Sequence, residues 1–337
     1  MIVPALTRIA ALLSIAATLL SGVANAADGR VASAAPKDTV WDKQWGQWKQ
    51  AAEANNFKFE YFVNGELGGE NEITSAVRRN RIQVAGVSSA ALSAVIPEVS
   101  VTFAPYLFRS ADEADFVYDK YLMPVLREIA AGYGLHLMEW GEVGLSHMYA
   151  TKPLREPADV KGMRLRGPMN IAHQAFLRAI GADAVALGLP DIVPSLQTGM
   201  INGGMANIVL HTATTATFAK NYTLTGHIYD TNFFFTNLDW YKKLPADRQK
   251  ALNGLIVDPL AARKEVRAMS DALVAALKQR PDTTVITLTE DQLAKWRAAA
   301  SPAAKEIVAQ SGPRAQEVLD AINKGLAAYR AQQPAAK

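Results

Sequence analysis

Two hydrophobic periods alternate along the chain. Val40 to Asn55 carries Trp41, Trp45 and Trp48 at i, i+4 and i+7, which is one face of a helix and reads first as core packing. Gly29 to Ala34 is a short strand that stops before Pro36, and Phe57 to Val63 alternates as a second strand, closed by turns at Asn64-Gly65 and Gly68-Gly69. The pattern repeats with a helix over Glu70 to Asn80, a strand over Ile82 to Gly86, a helix over Ser88 to Val95 and a strand over Val99 to Phe103. A long helix follows over Ala111 to Ala131. Strands are predicted at Leu135 to Trp140 and Leu145 to Ala150, on either side of Gly141 and Gly144. Strands alternating with helices argue for parallel β-α-β units.

The second half has the same grammar. The run Met163-Arg164-Leu165-Arg166 alternates and ends at Gly167-Pro168, so a strand places Arg166 at its last position. Helices are predicted over Asn170 to Ile180, Asp191 to Thr198 and Thr212 to Lys220. Strands are predicted over Ala184 to Leu187, near Gly203 to Ala206, over Tyr222 to Thr225 and over the very apolar Asn232 to Asn237. From Pro245 the chain is almost wholly helical, with a break or kink at Pro259 and an end at Arg280-Pro281. One more strand fits Thr284 to Leu288, before helices over Glu290 to Gln310 and Pro313 to Ala331. The tail 332–337 reads as disordered.

The first residues change the picture. Arg8 precedes an apolar run, Ile9 to Leu20, and a small-x-small pattern at Ala24-Asn25-Ala26, which together read as a secretory signal peptide over 1–26. The run is shorter than the about 20 residues a spanning helix needs. Removing it would take one Arg and no acid, so 35 − 32 = +3 would become 34 − 32 = +2. That is no nucleic-acid binder. There are no cysteines, which excludes disulfides and thiolate chemistry and leaves stability to core size.

Catalytic signatures are sparse. No G-x-S-x-G, H-E-x-x-H or phosphate loop occurs, and His136, His147, His173, His211 and His227 lack close metal-ligand spacing. Glu70 and Glu72 sit at a helix start, where the dipole favours acids; the Arg78-Arg79-Asn80-Arg81 cluster suits a helix C-terminus and solvent. No metal and no cofactor is expected. An α/β chain with an export signal and no catalytic equipment points to a binding protein with a cleft between lobes.

Several segments resemble the substrate-binding proteins of TRAP transporters, of the DctP-like, C4-dicarboxylate-binding type. They include Gly65-Glu66-Leu67-Gly68, Ala104-Pro105-Tyr106-Leu107-Phe108, the run from Pro157 through Asp159-Val160-Lys161-Gly162-Met163-Arg164-Leu165-Arg166, Gly181-Ala182-Asp183, Leu196-Gln197-Thr198-Gly199 and Leu244-Pro245-Ala246-Asp247. The resemblance covers nearly the whole chain after the signal. It implies an α/β periplasmic binding-protein fold of two domains, with a double crossover and a long helix spanning both lobes. On this sequence the lobes are expected at 27–143 plus 232–271 and at 144–231 plus 272–331. It further implies delivery of a solute to a membrane permease, and places at Arg166 the arginine that grips the ligand's carboxylate.

A planar guanidinium suits that task, because it donates two parallel charge-assisted bonds that lysine cannot reproduce. Elsewhere the sequence departs from the family. Ser88 and Ala91 stand where binders of larger acidic sugars have Glu and Arg, and Ser146 stands where they have another Arg. The segment Ile201-Asn202-Gly203-Gly204-Met205-Ala206 puts Ala206 at the family's ligand-contacting asparagine, unless Asn207 substitutes by a one-residue shift. The expected pocket is therefore less polar than usual, lined by Ser88, Ser89, Trp140, Ser146, Met169, Leu189, Met205, Tyr229 and Phe233 around Arg166. Trp140 and Phe233 fit the core equally well, and His227 either braces a loop or meets the ligand.

One arginine with apolar and aromatic walls suits a monocarboxylate, such as a keto, hydroxy or aromatic acid. A second carboxylate would be buried without a cation, which is costly. The expected function is a periplasmic solute receptor, not itself membrane-spanning, that captures a small organic acid for a TRAP permease. The alternatives are a secreted enzyme using the same cleft, or a binding protein that feeds a sensor.

Overall fold

The structure is a computed structural model and describes residues 27–332. The signal segment 1–26 and residues 333–337 of the expected tail lie outside the described residues. Among the described residues nine strands form one sheet: β1 (Gly29–Ser33), β2 (Phe59–Phe62), β3 (Val84–Ser88), β4 (Leu135–Ala150), β5 (Arg164–Gly167), β6 (Asp183–Ala186), β7 (Gly203–Ala206), β8 (Asn221–Asn237) and β9 (Thr284–Ile286). The order is β2-β1-β3-β8-β4-β7-β5-β6, with β9 on β8. β1 pairs in parallel with β2 and β3, and β5 in parallel with β6 and β7. These are the two sets of α/β units that the sequence predicted.

What joins the sets is the antiparallel pair β4 and β8, of 16 and 17 residues. Each runs from one set of strands into the other. The sequence reading split both into shorter strands around glycines. The ladder instead continues through irregularities at Leu137/Glu139, Glu142/Gly144 and Ser146/Met148, with Gly144 at φ +101°. A bulge bends a strand without ending it, and glycine tolerates that φ at no steric cost.

Other expectations are corrected. Val99 to Phe103 is not a strand but part of a 3-10 helix, Pro97–Phe103. Its β-branched residues suggested a strand, yet β3 already has β1 and β8 on its two edges, so no slot remains beside it. The segment is instead buried beneath the two C-terminal helices. The expected helix Ala111 to Ala131 is present but carries a π-helical turn at Tyr118–Leu122, before Met123–Gly132. Pro124 has no N–H to continue the ladder, which accounts for the local widening. The expected helix Thr212 to Lys220 is displaced: it starts at Ile208, capped by Asn207, and passes into a π-turn at His211–Thr215.

The chain breaks before Pro259, which occupies the first turn of a 20-residue helix, Pro259–Lys278, with Asp258 as its cap. This helix packs on β4, on the Val40–Ala54 helix from one half of the sheet, and on β9 and Ile208–Leu210 from the other. Arg263 and Arg267 on it are held by Asp115, Asp119 and Glu142, with Arg263 to Asp115 at 2.9 Å and Arg267 to Asp115 at 2.8 Å. The last helix, Ala315–Ala331, packs against Pro97–Phe103 and the Ala111–Gly132 helices. Among the described residues no helix is long and apolar enough to cross a membrane.

Candidate functional site

A cavity of about 790 Å³ opens where the two sets of strands meet along β4 and β8. Its walls come from the turns after β1 and β2, the first turns of the Val40–Ala54 helix, the end of β3, and the C-terminal ends of β5 and β7. Such strand ends are where α/β clefts open.

Arg166 lies in this cavity. Pairing of β5 with β7 and β6 fixes its backbone, opposite Gly204 and Val185. Gly204 is required there: a Cβ would come within 2.6 Å of the Arg166 carbonyl oxygen and 2.7 Å of the Tyr149 hydroxyl. The Arg166 side chain is only 3% exposed. Its Nε donates to the Leu187 carbonyl at 3.0 Å. Its two terminal nitrogens have no hydrogen-bond or ion-pair partner among the described residues. Burial pushes its pKa down, against the attraction of Tyr149, Asp230 and Glu70. The contrast with the buried Arg263 and the partly buried Arg267, each paired to carboxylates, is direct. Arg164, two residues earlier, is exposed and donates to the Gly199 carbonyl at 2.6 Å.

Of the residues predicted from sequence, Ser88, Ser146, Met169, Leu189, Met205, Ala206 and Asn207 also line the cavity. Met169 is at the rim, 52% exposed. Asn207 caps the turn after β7 by accepting from Leu210 N–H at 2.9 Å. Ser89, Trp140, His227, Tyr229 and Phe233 do not line it. Ser89 is buried against Thr231, hydroxyl to hydroxyl at 2.6 Å. Trp140 stacks on Tyr118 at 4.3 Å, lies under the Arg263 guanidinium and donates to Asp119. His227 stacks on Phe176 at 4.1 Å with Nδ1 on Thr225. Tyr229 accepts from Arg267 at 3.1 Å, and Phe233 is wholly buried.

Parity explains part of this. On β8 Asp230, Asn232 and Phe234 reach the cavity, one step out of phase with Tyr229 and Phe233; of that second face Thr231 alone among these positions also reaches it. Successive strand residues face opposite sides, so an error of one residue exchanges the wall for the core. The sequence reading also missed Trp41, Trp45, His173 and Glu70 as lining residues. The Trp41/Trp45/Trp48 stripe does pack as core, but its first two members also form cavity wall.

The cavity is therefore more charged than expected. Glu70, in the first turn of the Glu70–Arg78 helix, accepts from Ser88 N–H at 2.7 Å and Ser88 Oγ at 2.6 Å. Burial pushes its pKa up, opposed by those two bonds and by Arg166. Asp230 accepts from the Ser146 hydroxyl and meets His173 Nε2 at 3.2 Å. His173 Nδ1 in turn faces the Asn170 side-chain oxygen at 3.1 Å, an oxygen also bonded to Ala172 N–H. Ser, His and Asp thus share the site, but the serine is bonded to the aspartate and not to the imidazole. The imidazole does not reach that hydroxyl, so the trio lacks the serine–histidine contact of a nucleophilic relay. Among the described residues no group of three or more His, Asp or Glu side chains could hold a metal ion.

Comparison with known proteins agrees with this architecture. Residues 31–311 match the profile of the bacterial extracellular solute-binding proteins, family 7 (DctP). A solute-binding protein of Verminephrobacter eiseniae is 30% identical over 197 residues, 58% of this chain and 59% of that relative, so the match spans under two thirds of its length. The periplasmic ectoine-binding protein of the TeaABC TRAP transporter of Halomonas elongata superposes with a TM-score of 0.84 at 22% identity, over 89% of this chain and 99% of that one. The sugar-acid-binding protein DctPAm of Advenella mimigardefordensis, solved with galactonate, superposes with a TM-score of 0.81 at 22% identity, over 88% and 97%.

Proposed function

Because the chain belongs to the bacterial extracellular solute-binding proteins of family 7, we propose that it is the periplasmic receptor of a TRAP transporter, which captures a small monocarboxylate through Arg166 and hands it to the membrane permease. The observation that carries this reading is the buried Arg166 guanidinium with its terminal nitrogens free and turned to a cavity. A buried charge without a partner is costly. A carboxylate arriving from solution supplies the partner, in two parallel charge-assisted bonds. The Nε bond to Leu187 fixes the plane of the fork before ligand arrives, which lowers the ordering cost of binding.

The lobes in this reading are β1–β3 with the 232–237 part of β8, and β5–β7 with its 221–231 part. The bends of β4 near Gly144 form the hinge, and the Pro259–Lys278 helix bridges the lobes. Closing on ligand is driven only to the extent that the closed form binds it more tightly. The similar proteins named above are described with ectoine and with galactonate. The choice of a monocarboxylate for this chain rests instead on the single cavity arginine.

The test is calorimetric titration of the exported chain with a panel of monocarboxylates and dicarboxylates, repeated on Arg166→Lys and Arg166→Ala. Arg166→Lys should weaken binding by about tenfold or more, and Arg166→Ala by about 100-fold or more, given 1.5–3 kcal/mol per charged hydrogen bond. A ligand held equally well by Arg166→Ala refutes the hook. A consistent preference for dicarboxylates refutes the monocarboxylate assignment.

A further inference from the structure

Arg166 accounts for only one end of a ligand. Acceptors also stand on the wall away from it. Glu70 lines it, and its two oxygens have only the Ser88 N–H and hydroxyl as partners; no cation lies within ion-pair distance among the described residues. Asn232 also lines it, and its side-chain oxygen is buried without a hydrogen-bond partner. Of the other acids on the wall, Asp230 is already met by Ser146 and His173, and Glu72 and Asp191 are exposed. Trp45 and Phe234 stand beside these groups with ring centroids 5.2 Å apart. Aromatic faces of this kind attract cations.

A plain carboxylate placed on Arg166 would neutralise the one arginine of the cavity. It would leave Glu70 facing an apolar ligand body as the cleft excludes water. Desolvating a carboxylate without a cation is among the most expensive contacts a site can contain. A ligand that carries its own positive group removes that cost and meets the aromatic faces as well. We infer that the solute is a zwitterion, a monocarboxylate bearing an amino, imino, quaternary ammonium or amidinium group, and that Glu70 is the counter-ion of that cation. This inference rests on the reading of Arg166 as the carboxylate hook and names what the opposite end of the site selects.

Isosteric pairs separate charge from shape. Trimethylglycine is matched by 3,3-dimethylbutanoate, proline by cyclopentanecarboxylate, and 4-aminobutanoate by pentanoate. Each is titrated into the exported chain and into Glu70→Gln and Arg166→Ala. In at least one pair the cationic member is expected to bind about tenfold or more tightly than its uncharged isostere. Glu70→Gln keeps an acceptor for the Ser88 N–H and is expected to bring that ratio within about threefold, by weakening the cationic member and by tightening the uncharged one, which no longer desolvates a carboxylate. Arg166→Ala is expected to lose both members. Equal or tighter binding of the uncharged member in every pair overturns the inference, as does a panel in which no cationic member binds. A preference that survives Glu70→Gln removes Glu70 as the counter-ion. Retained binding by Arg166→Ala overturns instead the hook on which the inference stands, so the two failures are distinguishable.

Discussion

Consider Arg166→Met in the empty protein. The side chain is 3% exposed, makes one hydrogen bond and has no carboxylate within ion-pair distance. Burial holds its pKa below the ordinary value despite the attraction of Tyr149, Asp230 and Glu70. For a base, a folded pKa below the unfolded one means that the charge opposes folding wherever the unfolded chain carries it. Methionine fills a similar volume without the charge. Replacing buried charges with apolar groups of similar volume stabilises by about 1–4 kcal/mol. Losing the bond to Leu187 costs about 1 kcal/mol. Leaving Asp230 and Glu70 without the nearby cation offsets part of the remainder, so the expected net gain is about 1 kcal/mol, or about 2 °C in melting temperature. The assay is scanning calorimetry on protein freed of ligand by unfolding and refolding, with ligand titration alongside. The expected result is a more stable protein that no longer binds. A variant that melts 2 °C or more below the parent would refute the reasoning, because it would mean that Arg166 is structurally paired.

Other consequences can be measured independently. Asp115→Ala leaves Arg263 and Arg267 each short of a carboxylate, and breaking such a buried network should cost about 3 kcal/mol, seen as a fall of about 6 °C in melting temperature; a change under 1 °C would contradict it. Burial lowers the His147 pKa to about 4 from 6.5, so between those values the unfolded chain binds a proton that the native chain refuses. Stability should therefore fall by roughly 3 kcal/mol as pH drops from 6.5 to 4, and urea unfolding of His147→Gln should show a flatter pH dependence. Gly204→Val drives a side chain into the Arg166 carbonyl and the Tyr149 hydroxyl, so ligand affinity should fall at least about tenfold through displacement of Arg166; full affinity in titration would exclude that coupling. Trp41 and Trp45 line the cavity, so ligand should change tryptophan emission, and Trp45→Phe should reduce the change.

Much of the architecture was legible because it depends on local chemistry. The Thr39 cap and the tryptophan spacing define the Val40–Ala54 helix, the Thr289–Gln292 capping box opens Glu290–Gln310, and β5 ends at Gly167, directly before Pro168. Each needs only neighbours within a turn or a strand step. Val99 to Phe103 was misread for the opposite reason. Its β-branched composition favours a strand, but a strand requires an open edge, and pairing with distant β1 and β8 had already filled both edges of β3.

The site divides the same way. The sequence alone placed the two α/β sets and the arginine near a strand end, because spacing and residue type suffice for these; only the family resemblance suggested the departures at Ser88, Ala91, Ser146 and Ala206. Only the tertiary structure decided that Asp230, Asn232 and Phe234 rather than Tyr229 and Phe233 line the cavity, since strand phase is set by register with partner strands. Only it brought Glu70 and Arg166 into one cavity, although they lie far apart in the chain. Charge balance in a cleft belongs to the fold, because it sums over groups whose proximity no local pattern encodes.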